Sequence, residues 1–278
     1  MVGVPDRLKA VRYAQQRGLS LRRASWLLQT SRSMLVYRHL QPDKDAVLLD
    51  AMRSVSSRHP SWGYRRVTAW LREKGVNASN NRVRRLWQEH GFSAHWRRRR
   101  RKIRTGARLN PVPHTPNRVW CMDFAEDRLE SGHRFQVLLV KDEASAYCVG
   151  SPVAPSFKGV DVEQRLHEMA MEHGTPDYIR CDNGSQFIAF VVQRWAERNG
   201  IRMAHIDPGK PWQNGAAESM VAAYRREVLN AELFYSVHEA QVITDRWRRM
   251  YNEERPHSRL NYKPPVSAYK TVDRTAWA

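Results

Sequence analysis

The 278-residue chain contains no run of 18 apolar residues, so no segment reads as a membrane span. Its N-terminus lacks the charged-then-apolar pattern of an export signal. Cysteine is scarce: Cys121, Cys148 and Cys181 stand alone, each in an apolar, strand-like context, with no Cys-x-x-Cys pair. They read as buried thiols of a reducing compartment, which makes a cytoplasmic location the expectation. The 11 His and 3 Cys show no zinc-ligand spacing, so no zinc is expected. No leucine-zipper heptad offers self-association. Acidic residues are also scarce at first. Residues 1–110 hold 26 Lys/Arg against 6 Asp/Glu, whereas residues 111–278 hold 21 against 22. The net charge of +19 therefore belongs to the N-terminal part. A merely soluble basic protein would not confine its charge this way; a nucleic-acid-binding module would.

That basic part reads as helical. Residues 6–18 carry Leu8, Val11, Tyr13 and Ala14 among basic residues. Ser20 can cap a second helix with Leu21, Ala24, Leu27 and Leu28 at helical spacing, and Ser31 a third with Met34, Leu35 and Tyr37. Such a pair is either simple packing or a helix-turn-helix, and the pattern leaves both open. Residues 44–58 read as another helix. The block His59–Leu71 places Tyr64, Val67, Trp70 and Leu71 on one stripe, with Arg65 and Arg66 beside it. A helix over 81–90 turns Val83, Leu86 and Trp87 inward and Arg82, Arg84 and Arg85 outward, and Gly91 ends it. These arginines are read as phosphate contacts. The run Arg97–Arg104, with Arg98, Arg99, Arg100 and Arg101, repels itself and reads as an extended, phosphate-tracking linker, stiffened by Pro111, Pro113 and Pro116.

From Val119 the pattern changes. Strands are expected at 119–124, 134–141, 146–153, 178–181 and 201–206, and helices at 159–173 and 185–199: an α/β domain with a mixed five-stranded sheet. Tyr178-Ile179-Arg180-Cys181-Asp182-Asn183-Gly184 reads as a buried strand ending in a carboxylate and a tight turn. A carboxylate there is rigidly held and can share a position with others. Asp123 lies inside Val119–Phe124, with 58 residues separating it from Asp182, and 35 residues separate Asp182 from Glu218. The loop 207–215 holds two prolines and two glycines and is expected to contain no regular element. Asn214 or Gly215 can cap the following helix, which puts Glu218 in its first turn and Arg225 on the same side two turns on, facing a phosphate. Lys210, Gln213 and Asn214 are further candidate DNA contacts, although turn formation explains Asn214 equally.

Singly, each acid has a dull explanation. Together, beside a basic half, Asp123, Asp182 and Glu218 read as one metal site. Crowded carboxylates raise one another's pKa, so a cation belongs among them, and oxygen-only ligands select Mg²⁺ or Mn²⁺ over zinc. Glu126, Asp127, Asp142 and Glu143 read as surface charges, and His205 as a core or edge histidine.

Trp120-Cys121-Met122-Asp123, Cys181-Asp182-Asn183-Gly184-Ser185-Gln186-Phe187, and Pro208-Gly209-Lys210-Pro211 with Gln213-Asn214-Gly215 and Glu218-Ser219 resemble the DDE transposase/retroviral integrase superfamily. More narrowly, they resemble the second-frame (OrfB) transposases of a bacterial insertion-sequence group with two overlapping reading frames. The closing run Tyr251-Asn252-Glu253-Glu254-Arg255-Pro256-His257-Ser258 and the His59–Gly91 block are similar to that group too. The resemblance implies an RNase H-like core with Asp123, Asp182 and Glu218 as catalytic acids holding two Mg²⁺ or Mn²⁺ ions, and Arg225 at a phosphate. It implies metal-dependent cleavage of double-stranded DNA at element ends and 3′-OH strand transfer by a nucleoid-associated homo-oligomer. A first-frame (OrfA) protein or fusion is an implied partner. The expected segments are 1–42, helix-turn-helix-like; 43–96, a basic HTH-like domain; 97–116, linker; 117–235, catalytic core; and 236–278, C-terminal helix and tail. A second reading, an inactive DNA-binding regulator or scaffold, stands beside this one.

Overall fold

The computed structural model describes residues 4–36, 41–92, 115–207 and 211–269. Two units follow from the chain contacts, residues 1–51 and 52–278. The first holds α1 (Val4–Gln16), α2 (Leu21–Leu27), α3 (Arg32–Val36) and the start of α4 (Gln41–Arg58). Ser20 caps α2 by accepting from Arg23 N–H. Val11 and Ala24 are buried, but Leu27, expected inside, is exposed. The expected boundary between residues 42 and 43 falls inside α4, which runs across it unbroken.

In the second unit, α5 (Tyr64–Glu73) and α6 (Asn80–Glu89) bury Val67, Trp70, Leu71, Val83, Leu86 and Trp87 as one amphipathic pair. The α/β part follows: β1 (Val119–Arg128), β2 (Arg134–Asp142), β3 (Cys148–Gly150), β4 (Val153–Ala154), α7 (Gly159–His173), β5 (Tyr178–Cys181), α8 (Phe190–Arg198), β6 (Arg202–His205), α9 (Gly215–Tyr224), α10 (Val237–Glu253) and α11 (Pro265–Tyr269). The sheet order is β3-β2-β1-β5-β6, with β4 also on β2. β1 is antiparallel to β2 and parallel to β5, so the sheet is mixed. Helices on both faces of this order give the RNase H-like arrangement.

Local differences from the expected elements have physical causes. The single strand expected over 146–153 is divided at Ser151-Pro152, because proline has no N–H to donate; its carbonyl still accepts from Leu138 N–H at 3.0 Å. The helix expected from 185 begins at Phe190, after a turn over 184–188 closed by Phe187 and Ile188 N–H to Gly184 O. A short 3₁₀ turn, Pro211–Asn214, occupies part of the loop expected to hold none, and α9 passes into a π-turn, Arg225–Leu229.

Strand alternation divides the core into two layers. Trp120 and Met122 of β1 face α7 and α8, with Leu138, Val140, Ile179, Leu166 and Val192. Ala125, Val137 and Leu139 face the other way, onto Met220, Ala223 and Tyr224 of α9 and Trp247 and Tyr251 of α10. Two carboxamides on one face of α10 reach the sheet edge. Asn252 accepts from Cys148 N–H (2.8 Å) and donates to Cys148 O (2.9 Å), and Gln241 accepts from Val153 N–H at 2.7 Å. They are eleven residues apart, about three turns.

Candidate active site

Asp123 is two residues from Cys121 and from Ala125, so alternation turns it to the α9 face. β5 runs parallel beside β1 with Cys121 level with Arg180. Asp182 follows Cys181, the last residue of β5, and its carboxylate is within electrostatic reach of Asp123. The third acid arrives from α9. The buried Asn214 does not cap that helix; its Nδ2 donates to Met122 O at 3.1 Å, fastening the helix start to the residue before Asp123. Glu218 lies in the first turn. Asp182 and Glu218, from distant parts of the chain, both lie within electrostatic reach of Asp123.

All three are half-buried, and none forms an ion pair among the described residues. Among those residues Asp123 accepts only from Phe124 N–H (2.8 Å), Asp182 only from Gly184 N–H (2.9 Å), and Glu218 makes no hydrogen bond. Burial, together with the Asp182 and Glu218 carboxylates, pushes the Asp123 carboxyl up to about 6, against the pull of Phe124 N–H and of Arg225. Among the described residues, no three His, Cys, Asp or Glu side chains stand close enough to grip one ion. Beside them Asn214 Oδ1 is a buried acceptor without a partner. The donor set is oxygen throughout, which fits Mg²⁺ or Mn²⁺.

His205, read as a core or edge histidine, braces this turn: Nδ1 lies 3.3 Å from Asp182 O and Nε2 3.1 Å from Gln193 Nε2. A neutral ring donating from Nδ1 satisfies both contacts, an assignment made from the hydrogen-bond network.

Asp142 and Glu143, read as surface charges, are buried instead. Asp142 accepts from Asn117 N–H, Ser145 N–H and Ser145 Oγ; Glu143 accepts twice from Arg180, at 2.5 and 2.7 Å, in a buried pair. A charged residue in an apolar strand must bring its partner inside, and Arg180 within Tyr-Ile-Arg-Cys was the signal that Glu143 answers. Lys141, and Arg180 as the partner of Glu143, carried no expectation from the sequence.

The candidate DNA contacts fall in different places. Arg225 is exposed and within electrostatic reach of Asp123. Gln213 is engaged at both ends of its amide with Asp207, straddling the loop. Arg65, Arg84 and Arg85 are exposed, Arg85 paired with Glu89 at 2.8 Å, and Arg82 is half-buried. Arg66 is half-buried, and burial and the nearby Arg255 push its guanidinium down to about 10. Lys210 and Arg98, Arg99, Arg100 and Arg101 lie outside the described residues.

Residues 113–211 and 199–265 match the family described as integrase core domain, and residues 42–100 match an HTH-like domain. The uncharacterized 31.7 kDa protein of insertion element IS407 from Burkholderia multivorans (strain ATCC 17616 / 249) is 34% identical over 247 residues, 89% of each chain. This chain belongs to the OrfB-type DDE transposase family. The transposase for IS904 from Lactococcus lactis subsp. lactis (strain IL1403) is 26% identical over 245 residues, 82% of this chain and 96% of that one. The transposase for IS629 from Shigella sonnei is 23% identical over 231 residues, 80% and 78%. A chain of the simian T-cell lymphotropic virus intasome, solved with the PP2A regulatory subunit B56 gamma, shares the fold with a TM-score of 0.50 at 14% identity, covering 80% of this chain and 75% of that one.

Proposed function

We propose that the chain cuts DNA at the ends of an insertion sequence and joins the 3′-OH to a new phosphodiester, with Asp123, Asp182 and Glu218 as its catalytic acids. It is a transposase, a polynucleotidyl transferase of the integrase type. One observation carries the assignment of the acids: they approach from three separate segments and have no cation of their own. Acids recruited for stability are paired or fully hydrogen-bonded, and these are not.

Asp123, Asp182 and Glu218 would together hold a pair of Mg²⁺ or Mn²⁺ ions. Bound there, the ions supply activation of the attacking oxygen and stabilisation of the leaving one. The protein supplies position. β1 and the end of β5 hold two of the acids, and the Asn214–Met122 link sets the helix that carries the third. Arg225, exposed on the same helix, meets the scissile strand's phosphate. Arg65, Arg82, Arg84 and Arg85, with Lys210, Gln213, Asn214 and Arg98–Arg101, are the proposed DNA contacts. The working form is a homo-oligomer on double-stranded DNA with an OrfA-type first-frame partner, at the nucleoid.

Strand transfer with labelled element ends in Mg²⁺, comparing the wild type with Asp182→Asn, tests the acids. Joined product should disappear from the variant while end binding persists. Equal product from both proteins removes Asp182 from the chemistry.

A further inference from the structure

One fully buried charge near the acids is not used by the reaction as described. Lys141 interrupts the apolar strand β2, two residues beyond Leu139, and alternation turns it to the α9 face. Only 5% of it is exposed. Its Nζ donates to Ala216 O at 3.1 Å and to Ser219 Oγ at 3.4 Å, and that hydroxyl donates to Ala216 O at 2.7 Å. None of these acceptors is a carboxylate. Asp142, next along the strand, is bonded to Asn117 and Ser145, and Glu143 is taken by Arg180.

The placement is unfavourable on two counts. A buried ammonium has lost its hydration without gaining an ion pair. It also lies against the first turn of a helix, the end that already carries positive dipole charge and attracts anions. If filling space were the task, a methionine of similar volume would do it without either penalty. What an ammonium adds is a grip on oxygens, and the two it holds lie on either side of Glu218. Glu218 has no hydrogen bond among the described residues, so the backbone of this turn alone sets where its carboxylate stands. Asn214 fastens the turn to β1 and Lys141 fastens it to β2.

We propose that Lys141 is a positioning residue that holds the Glu218 turn at the distance from Asp123 at which a divalent cation can be shared. This rests on the acid assignment made above and extends it to the residue that supports it.

The test uses the full chain carrying Lys141→Met, Ser219→Ala or Glu218→Gln. Three readouts are compared: thermal unfolding, Mg²⁺ binding by calorimetry without DNA, and the Mg²⁺ dependence of strand transfer. Lys141→Met should unfold at the wild-type temperature or above, since a buried charge is gone, yet bind Mg²⁺ about 10–100-fold more weakly. Its strand transfer should recover in part at high Mg²⁺. Ser219→Ala should shift Mg²⁺ binding in the same direction by a few-fold, and it serves alone if Lys141→Met does not fold. Wild-type Mg²⁺ affinity in a folded Lys141→Met, or in Ser219→Ala when that variant stands alone, overturns the proposal. Glu218→Gln separates the two ideas: if it binds Mg²⁺ and transfers strands normally, the acid assignment fails whatever Lys141 does.

Discussion

Two groups of acids sit close together in this molecule and live by opposite rules. Asp142 and Glu143, at the end of β2, are buried and spend their oxygens on Asn117, Ser145 and Arg180. Asp123, Asp182 and Glu218, a strand away, are half-open and between them accept only from two neighbouring backbone N–H groups. The first group is consumed by the fold. The second is left without such partners among the described residues, and burial first, then the neighbouring Asp182 and Glu218 carboxylates, raise the Asp123 carboxyl. Acidity does not mark a catalytic residue; lack of a partner at a place the fold has taken trouble to build does.

The comparison predicts opposite outcomes for similar substitutions. Glu218→Gln should lower strand transfer by about 10³-fold or more while leaving the unfolding midpoint nearly unchanged, read from labelled product and a melting curve. Glu143→Gln should do the reverse: leaving Arg180 buried without its counter-charge should cost about 3–5 kcal/mol in denaturant unfolding, with activity lost only as folded protein is lost. If Glu143→Gln melts normally and only its product vanishes, the division drawn between the groups is wrong.

A smaller effect sharpens the electrostatic side. The Asp123 carboxyl titrates near 6 in the folded chain against 3.8 for the free group, so folding favours its protonated form. The stability this gives is fully present below pH 3.8 and is lost as pH rises through about 6. Metal-free protein should therefore weaken over that interval, and Asp123→Asn should abolish that part of the slope. Above pH 7 the variant should be the more stable by about 1–2 kcal/mol, less than the roughly 3 kcal/mol ceiling because water reaches the site. Added Mg²⁺ should stabilise the wild type and not the variant.

Cutting the link between helix and strand should cost less. Asn214→Ala removes the donor to Met122 O and should destabilise by about 1 kcal/mol, with a drop in strand transfer larger than that loss accounts for. The smallest effect belongs to the exposed arginines of α6. Arg84→Ala should leave the melt unchanged and lessen the salt dependence of DNA binding by about one counterion.

Much of this was legible in the chain. Near-continuous apolar runs marked β1, β2 and β5, because a strand packed on both faces buries successive positions. Asp182 before Asn-Gly, Asp123 inside a strand and Glu218 after a cluster of prolines and glycines marked the ends of elements, where side chains are both held and accessible. What stayed hidden was pairing. Glu143 and Arg180 are 37 residues apart, and nothing local tells a buried acid from a surface one until the sheet brings its partner alongside. Arg66 shows the same limit: Arg255, whose charge helps burial to push its guanidinium down, lies some 190 residues away along the chain.

The carboxamides of Asn252 and Gln241 have a consequence for what this molecule cannot do. An outer strand ordinarily offers its N–H and C=O groups to any passing segment. Here Cys148 and Val153 have already been answered by side chains that imitate a neighbouring strand. Growth of the sheet by recruiting a second copy along that edge is closed off from within the chain, so assemblies of this protein must be built through other surfaces.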